Sequence, residues 1–293
     1  MDAAFDLSLL ILSGIVGGFI SGLLGVGGGL IFVPILDYFL IKNGVYGNDL
    51  VLYTLANSFL AILVSGLAGS YSAFRDKSIN YRQLFTVALA AIVSILLTSF
   101  LIGKGDWYTP FIFKSLFCLM LIFTLVKTLL HIETDSLNDK LDLKIGLIIG
   151  LITGIVSGLS GLGGGIVMIP LFMMMGHLSI KKASVLSLAV IPVLALPNVL
   201  FYALKHPDIA MHGSTGYIAW PLVGPMIIGV LIAVQIGVKV SKLLSANTIK
   251  IIFATFIVLT VVKTINSIIT DEKKNHINTH SSNSASECKC TNT

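Results

Sequence analysis

Three consecutive glycines, Gly27 to Gly29, are the residues of this sequence whose type and spacing most directly suggest chemistry. A run of glycines can adopt φ > 0 and lets backbone N–H groups approach a bound atom closely. Such N–H groups at the start of a helix attract negative charge. The run recurs at Gly163 to Gly165, and in both places a further glycine, Gly25 or Gly161, lies two residues before it. We therefore predict that both runs bind an anion through the backbone.

Four polar side chains are further candidates for a binding or coupling role. Asn57, Ser58 and Ser187 lie in apolar runs, where they could hydrogen-bond substrate oxygens or a neighbouring helix. Asp37 follows the first glycine run and could carry a coupling proton, because burial favours the protonated carboxyl, or it could lie at the membrane interface. We treat the first three as candidate substrate ligands and Asp37 as a candidate for proton coupling.

The glycine runs belong to an internal repeat. When the segment from Gly14 to Pro34 is aligned with the segment from Gly150 to Pro170, 10 of the 21 positions are identical. The same register pairs Lys114 with Lys250, whereas Ser58 pairs with Ser187 in a shifted register, so the loop lengths differ between the halves. The repeat divides the chain into a first membrane repeat (1–130), a linker (131–144), a second membrane repeat (145–270) and a polar tail (271–293), which we expect to be disordered.

The composition predicts a membrane protein. Of the 293 residues 55% are hydrophobic and 11% are charged, and the mean hydropathy is +0.95, so there are too few charges to cover a soluble globule. Six apolar runs are long enough to span a bilayer as helices: Tyr53 to Phe74, Leu84 to Ile102, Phe111 to Leu130, Ala183 to Leu204, Tyr217 to Val238 and Ile249 to Ile269. We expect four aromatic residues at the membrane interface: Trp107, Tyr108, Tyr217 and Trp220.

Each glycine run must interrupt a helix. A single helix from Leu7 to Ile41 would be over about 50 Å long, against a hydrocarbon core of about 30 Å. Pro34 and Pro170 suit the early turns of a new helix after the break. We predict a helical hairpin that turns inside the membrane in each half, although Gly14, Gly18 and Gly22 also fit close helix packing.

The distribution of basic residues predicts that the two halves are inverted. With inverted halves, eight of eleven basic loop residues fall on one side, whereas parallel halves would split them four to seven. The positive-inside rule favours the first arrangement. It puts the linker in the cytoplasm and the C-terminal tail outside, most simply in a plasma (inner) membrane. The net charge of +5 then reports topology rather than nucleic-acid binding.

The fold we predict is an all-α integral membrane protein with two inverted repeats, each a glycine-broken helical hairpin followed by three transmembrane helices. The two copies of S-G-x-x-G-x-G-G-G-x-x-x-x-P, at Ser21 to Pro34 and Ser157 to Pro170, resemble the TauE/SafE family of sulfite and organosulfonate permeases. The next helix of such proteins often carries Thr-Ser, where this chain has Asn57-Ser58 and Leu186-Ser187. The resemblance implies a secondary transporter without a cofactor that moves sulfite or organosulfonates across the bilayer.

The candidate substrate-binding residues are those of the two breaks and the helices after them: Gly25, Gly27, Gly28, Gly29, Asn57, Ser58, Gly161, Gly163, Gly164, Gly165 and Ser187. In this interpretation the halves move alternately around a site at the membrane midplane. The anion would be held by N–H groups rather than by a buried Arg or Lys.

Two other functions remain open, and a metal site in the tail was considered but is not predicted. Gly158 to Gly161 spells the GxSG of rhomboid-type proteases, with Ser160 as nucleophile and His177, His206 or His212 as base, but the first repeat has Leu24 in place of Ser160. An anion channel or a receptor could use the same fold. A soft metal ion could be gathered by side chains of the tail, His276, His280, Cys288 and Cys290, although their spacing is loose and we predict no metal site.

Overall fold

The computed structural model describes residues 2–75, 80–104, 107–130, 141–245 and 247–266. These ranges form ten helices, numbered here in chain order: α1 Asp2–Leu24, α2 Gly29–Lys42, α3 Gly47–Arg75, α4 Tyr81–Ile102, α5 Pro110–Leu130, α6 Leu143–Ser160, α7 Gly165–Met174, α8 Ile180–Ala203, α9 Trp220–Leu243 and α10 Asn247–Asn266. Seven of these helices are long and apolar enough to cross a membrane. The prediction of an all-α integral membrane protein is confirmed. Most of the linker, and the tail with its histidines and cysteines, lie outside the described residues.

The first two helices of each half form a hairpin, as predicted. In the first half the end of α2 returns to the start of α1, where Lys42 Nζ lies 2.6 Å from Asp6 Oδ2. In the second half Gly176, just after α7, packs on Leu141, just before α6. In both helical hairpins the second helix therefore ends on the side on which the first helix begins.

The first helix of each half packs against a helix of the other half, so the two halves interdigitate. Gly14 and Gly18 of α1 contact the backbone of Met226 and Val230 of α9. In the equivalent contact, α6 packs on α4, with Gly150 against Val87. The small residues let the backbones approach closely, as at other membrane helix interfaces. The small-residue stripe of each first helix thus has a packing role.

The order of the contacts fixes the helix directions. Along α1 and α9 the contacting residues advance together, so these helices are parallel, and α6 is parallel to α4 in the same way. Gly66 and Gly69 of α3 contact Ile191 and Leu188 of α8, so the sequence-equivalent helices α3 and α8 run antiparallel.

A short antiparallel hairpin between α8 and α9 was not predicted. Its strands are β1 Ser214–Thr215 and β2 Ile218–Ala219, and the turn is closed by Gly216 at φ 55°. The prediction that a spanning helix begins at Tyr217 was wrong, because α9 begins at Trp220 and Tyr217 belongs to the turn of this hairpin. The apolar run continued through a segment that is buried by protein rather than by lipid, so hydropathy alone could not locate the helix start.

Two of the four predicted interfacial aromatic residues are instead buried. Trp107 and Trp220 are about half exposed, at 51% and 49%, as the prediction requires. Tyr108 and Tyr217 are 2% and 4% exposed, so the prediction was wrong for both. The Tyr108 hydroxyl donates to Leu159 O and the Tyr217 hydroxyl donates to Asp49 Oδ1. Both side chains therefore find their hydrogen-bond partners inside the protein.

Candidate functional site

The helix breaks are built by glycines in the left-handed region. The φ angles are 75°, 86° and 78° at Gly25, Gly27 and Gly28. At the equivalent residues Gly161, Gly163 and Gly164 they are 67°, 72° and 76°. Residues with a β-carbon rarely adopt these angles, so the glycine pattern follows from the backbone path itself. The last glycine of each run, Gly29 or Gly165, begins the returning helix.

The two breaks are in direct contact. A β-carbon at Gly29 would lie 2.8 Å from Leu162 Cα, and one at Gly165 would lie 2.8 Å from Val26 Cα. Leu162 is the sequence equivalent of Val26, so each break presents the same residues to the other. This exchange of equivalent contacts is the property of a two-fold related interface.

Each break leaves a row of backbone N–H groups unpaired. Among the described residues no acceptor is bonded to the N–H groups of Gly27, Gly28, Gly29 and Leu30, or to those of 163–166. The first N–H groups of any helix lack a partner within the helix. Here they are buried, and they carry the positive end of the helix dipole. Two touching rows of such donors suit a bound anion.

Two isoleucines cover the glycine turns, and sequence reasoning missed them. A β-carbon at Gly27 would lie 3.2 Å from Ile62 Cγ2 and 3.3 Å from Ile191 Cδ1, and one at Gly163 would lie 2.6 Å from Ile62 Cγ2. Ile62 of α3 and Ile191 of α8 are both fully buried. The register that aligns Ser58 with Ser187 also aligns these two isoleucines, so it could have identified them.

Ser58 and Ser187 connect each half to the break of the other half. The Ser58 hydroxyl donates to Leu55 O and, at 3.1 Å, to Gly161 O. The Ser187 hydroxyl donates to Gly25 O at 2.8 Å. Both serines therefore lie at the breaks, as the proposed site requires, and both bond the backbone there. A direct contact of either hydroxyl with a substrate stays a prediction.

Asn57 lies one residue before Ser58 and is fully bonded within the protein. Its amide nitrogen donates to Tyr53 O and Tyr217 O, and its oxygen accepts from Ala219 N–H at 2.8 Å. Asn57 thereby holds the β-hairpin against α3. Its assignment as a substrate ligand stays a prediction, which requires that one of these bonds opens.

Asp49 makes a second contact with the segment that contains the β-hairpin, and sequence reasoning missed it. Its carboxylate is buried and accepts from Ile209 N–H at 2.6 Å and from Tyr217 Oη at 2.9 Å. Burial, and then the hydrogen bond to Asp49, raise the pKa of Tyr217, so its hydroxyl stays protonated and donates. The segment after α8 is thus fastened over the start of α3.

The predicted prolines and acidic residue lie on the returning helices. Pro34 and Pro170 each follow the first residue of α2 or α7 by five positions, inside the early turns. Asp37 lies one turn further along α2 and is buried, with its Oδ2 2.8 Å from Lys114 Nζ of α5. Proton coupling by Asp37 stays a prediction, and the structure adds that the carboxylate has an ammonium partner.

The arrangement around Ser160 does not favour a protease. The Ser160 hydroxyl donates to Val156 O at 2.7 Å and accepts from Leu162 N–H. In the described part of the chain none of the candidate bases His177, His206 and His212 is hydrogen-bonded to it. The hydroxyl is used to close the end of α6 instead.

A cleft of about 270 Å³ lies away from the breaks, between the starts of α4 and α6. Its walls are Asn80, Arg82, Gln83, Thr86, Leu141, Asp142 and Leu143. None of the candidate site residues lines it. The glycine turns themselves are packed closed beneath Ile62 and Ile191.

Three known proteins resemble this chain over most of its length. A probable membrane transporter protein of Methanocaldococcus jannaschii is 27% identical over 256 residues, which are 86% of this chain and 92% of that protein. Probable membrane transporter proteins from Haemophilus influenzae and Bacillus subtilis are 26% and 21% identical; each match also covers 86% of this chain, with 95% and 94% of those proteins' own lengths. No solved structure matches at a significant level.

The family described as Sulfite exporter TauE/SafE matches residues 10–264, which include both breaks and nine of the ten helices completely or nearly so. This match covers well over half of the chain. The chain therefore belongs to the TauE/SafE family of membrane transporters.

Proposed function

We propose that the protein is a secondary transporter of small anions, with its binding site where the two glycine breaks meet. The observation that carries the proposal is the pair of touching rows of unpaired N–H groups, at Gly27–Leu30 and at 163–166. Broken helices in transporters use such N-terminal ends to bind anionic groups near the bilayer midplane. Both rows are buried, and none of the atoms nearest to their glycines belongs to an Arg or Lys side chain, so we assign the positive potential to the backbone.

The substrate we propose is sulfite or an organosulfonate. The description of the family as sulfite exporters supports this choice. Sulfur oxyanions carry several acceptor oxygens around one atom, so they can use donors from both breaks at once. Each such charge-assisted hydrogen bond contributes about 1.5–3 kcal/mol.

We propose further that the halves are inverted in the membrane and that transport proceeds by alternating access. The antiparallel course of α3 and α8 supports inversion, as does the positive-inside distribution of basic residues. Ile62 and Ile191 close the glycine turns in the present arrangement, which we assign to an occluded state. Movement of one half against the other would open the turns to each side alternately. In the topology that we propose, the protein lies in the plasma (inner) membrane and the tail after α10 is on the outer side.

The experiment that tests the substrate is flux through purified protein in proteoliposomes. Sulfite, short organosulfonates and short carboxylates are compared, each with and without a pH gradient. We expect the sulfur oxyanions to move. Transport of carboxylates or cations without sulfur oxyanions would overturn the substrate assignment.

Matched glycine variants test the site. Gly27→Ala places a methyl group between Ile62 and Ile191 at φ 86°, whereas Gly44→Ala introduces a similar strain at φ 81° with nothing within 4 Å. Both changes cost about 1–2 kcal/mol of backbone strain. We expect Gly27→Ala to lower flux per inserted molecule about tenfold or more, since it hinders at least one anion hydrogen bond, and Gly44→Ala to leave that flux unchanged.

The equivalent variant in the second half decides whether both breaks bind the anion. Gly163→Ala should reduce flux as much as Gly27→Ala. The amount of protein in the membrane is measured beside the flux to separate folding from transport. Normal flux in Gly163→Ala would confine the site to the first half.

A further inference from the structure

Between α4 and α8 lies a cluster of buried polar side chains, some of which have hydrogen-bond donors without an acceptor. Asn198 and Tyr202 lie one turn apart on α8 and are fully buried. Ser99 Oγ of α4 donates to Asn198 Oδ1 at 2.9 Å. Asn198 Nδ2 has no hydrogen-bond partner within the described part of the chain, and Tyr202 Oη has none in good hydrogen-bond geometry, although Ser99 is close enough to interact with it. Buried donors without an acceptor destabilise a protein, so their presence points to a ligand.

The cluster lies between the second break and the surface at which α8 ends. Leu194, one turn before Asn198, is 3.5 Å from the position of a β-carbon at Gly164. At the other end Lys205 donates from Nζ to Gly103 O at 2.9 Å, one turn beyond Ser99. The donors therefore lie on α8 between a partly exposed basic residue and the second break.

The first half has no equivalent cluster. In the register that aligns α3 with α8, the equivalents of Asn198 and Tyr202 are Gly69 and Ala73. The donors are thus specific to the second half and are not imposed by the repeat.

We infer that Asn198 and Tyr202 form a second anion-binding position, on the outer side of the central breaks, for an oxyanion with at least two acceptor oxygens. The amide N–H and the phenol O–H are both left to donate, as an oxyanion requires. The position rests on the proposed function, because its ligand is the transported sulfite or sulfonate on its way between the breaks and the outer surface. Lys205 lies where it attracts the anion to the entrance.

The test compares two tyrosines that differ in the use of the hydroxyl. Tyr202→Phe removes a hydroxyl that has no partner in good hydrogen-bond geometry among the described residues, so we expect the thermal unfolding temperature without ligand to stay the same or rise. The stabilisation by added sulfite should weaken, and the KM for sulfite from the outer side should rise about tenfold, the effect of losing one anion hydrogen bond. Asn198→Leu, of similar volume, should raise this KM in the same way.

Tyr53→Phe is the control, because the Tyr53 hydroxyl donates to Ile209 O and accepts from Met211 N–H. It should lower the unfolding temperature and leave the KM unchanged. The inference is overturned if Tyr202→Phe and Asn198→Leu bind and transport sulfite like the wild type, which would mean that water alone fills the cluster. It is equally overturned if Tyr202→Phe loses stability but no affinity, which would mean that Tyr202 donates to Ser99.

Failure of the proposed function gives a different result. In that case the wild-type protein shows neither flux nor thermal stabilisation with sulfite, organosulfonates or carboxylates. The second position would fall with it.

Discussion

Asp37 and Lys114 form a buried ion pair whose acidic partner exists in the first half alone. The carboxylate of α2 lies 2.8 Å from the ammonium of α5, and Lys263 of α10 also acts electrostatically on Asp37. In the second half Met173 takes the place of Asp37, while Lys250 retains the lysine. Two charges taken out of water stabilise a protein only when each has its partner. The pair therefore joins the first hairpin to α5, and any proton transfer by Asp37 requires this pair to open.

Removal of one partner should be far more harmful than removal of both. Asp37→Asn leaves the Lys114 ammonium buried without its carboxylate, which typically costs about 3–5 kcal/mol, so we expect little folded protein in the membrane. The double variant Asp37→Met with Lys114→Met should recover most of the stability. Membrane abundance and the thermal unfolding temperature measure the difference. Equal stability of the single and double variants would show that the pair does not act as a unit.

The same double variant tests the proposal that Asp37 couples transport to protons. If Asp37 carries the proton, the double variant transports sulfite with no dependence on an imposed pH gradient. The wild type serves as the control in the same vesicles. An unchanged dependence on the gradient would exclude Asp37 from coupling and leave the pair a structural contact.

The long helices α3 and α8 fasten each half to the break of the other half. Ser58 donates to Gly161 O and Ser187 donates to Gly25 O, both across the interface between the halves. The broken helices have lost their own carbonyl partners at these residues, so the serines replace them. The conformation of each break is therefore supported by a helix that belongs to the opposite repeat.

Replacement of either serine should destabilise the protein to a similar extent. Ser58→Ala and Ser187→Ala each leave a buried carbonyl without its partner, which costs about 1–3 kcal/mol, or a few degrees in unfolding temperature. Ser13→Ala is the control, since the buried Ser13 hydroxyl donates to Leu10 O of its own helix. Thermal unfolding in detergent measures all three. A loss of stability in Ser13→Ala as large as in the other two would mean that the hydrogen bonds across the interface contribute no more than a bond within one helix.

The elements could be predicted where the signal is local in sequence. The hairpins follow from glycine runs and prolines that lie within one segment, and the helices follow from apolar runs. The β-hairpin was missed because the hydrogen bonds that hold it join residues far apart in sequence. Asn57 bonds Ala219 and Asp49 bonds Ile209, each from the opposite half of the chain. A polar residue in an apolar run looks the same whether it binds a substrate or a distant backbone, so the sequence could not separate these roles for Asn57.

At the scale of the whole molecule, the two halves exchange equivalent contacts. The breaks touch through Gly29 with Leu162 and Gly165 with Val26, and the equivalent helices α3 and α8 run antiparallel. The repeats therefore present the same residues to each other from opposite directions. The differences between them, such as Asp37 and Asn198, lie around this shared centre.

Thiol labelling tests the proposed topology. Single cysteines replace four exposed residues, Tyr46, Tyr81, Leu204 and Leu243, in a protein whose Cys288 and Cys290 are changed to serine. An impermeant reagent added outside should label Tyr46→Cys and Leu204→Cys and leave Tyr81→Cys and Leu243→Cys unlabelled. Labelling of Tyr46→Cys together with Leu243→Cys would show parallel halves, and the fully reversed pattern would show that the linker is outside.

The close packing of α1 on α9 also determines when this protein can finish folding. Gly14 of α1 contacts Met226, so most of the chain must be synthesised before α1 meets its partner. At about 5–20 residues per second this takes about 10–40 seconds, during which the small-residue face of α1 is without α9. The first repeat must therefore be inserted and held by the membrane or by the insertion machinery before its own core exists, because α9 packs on α1 only after α2 to α8 have been synthesised.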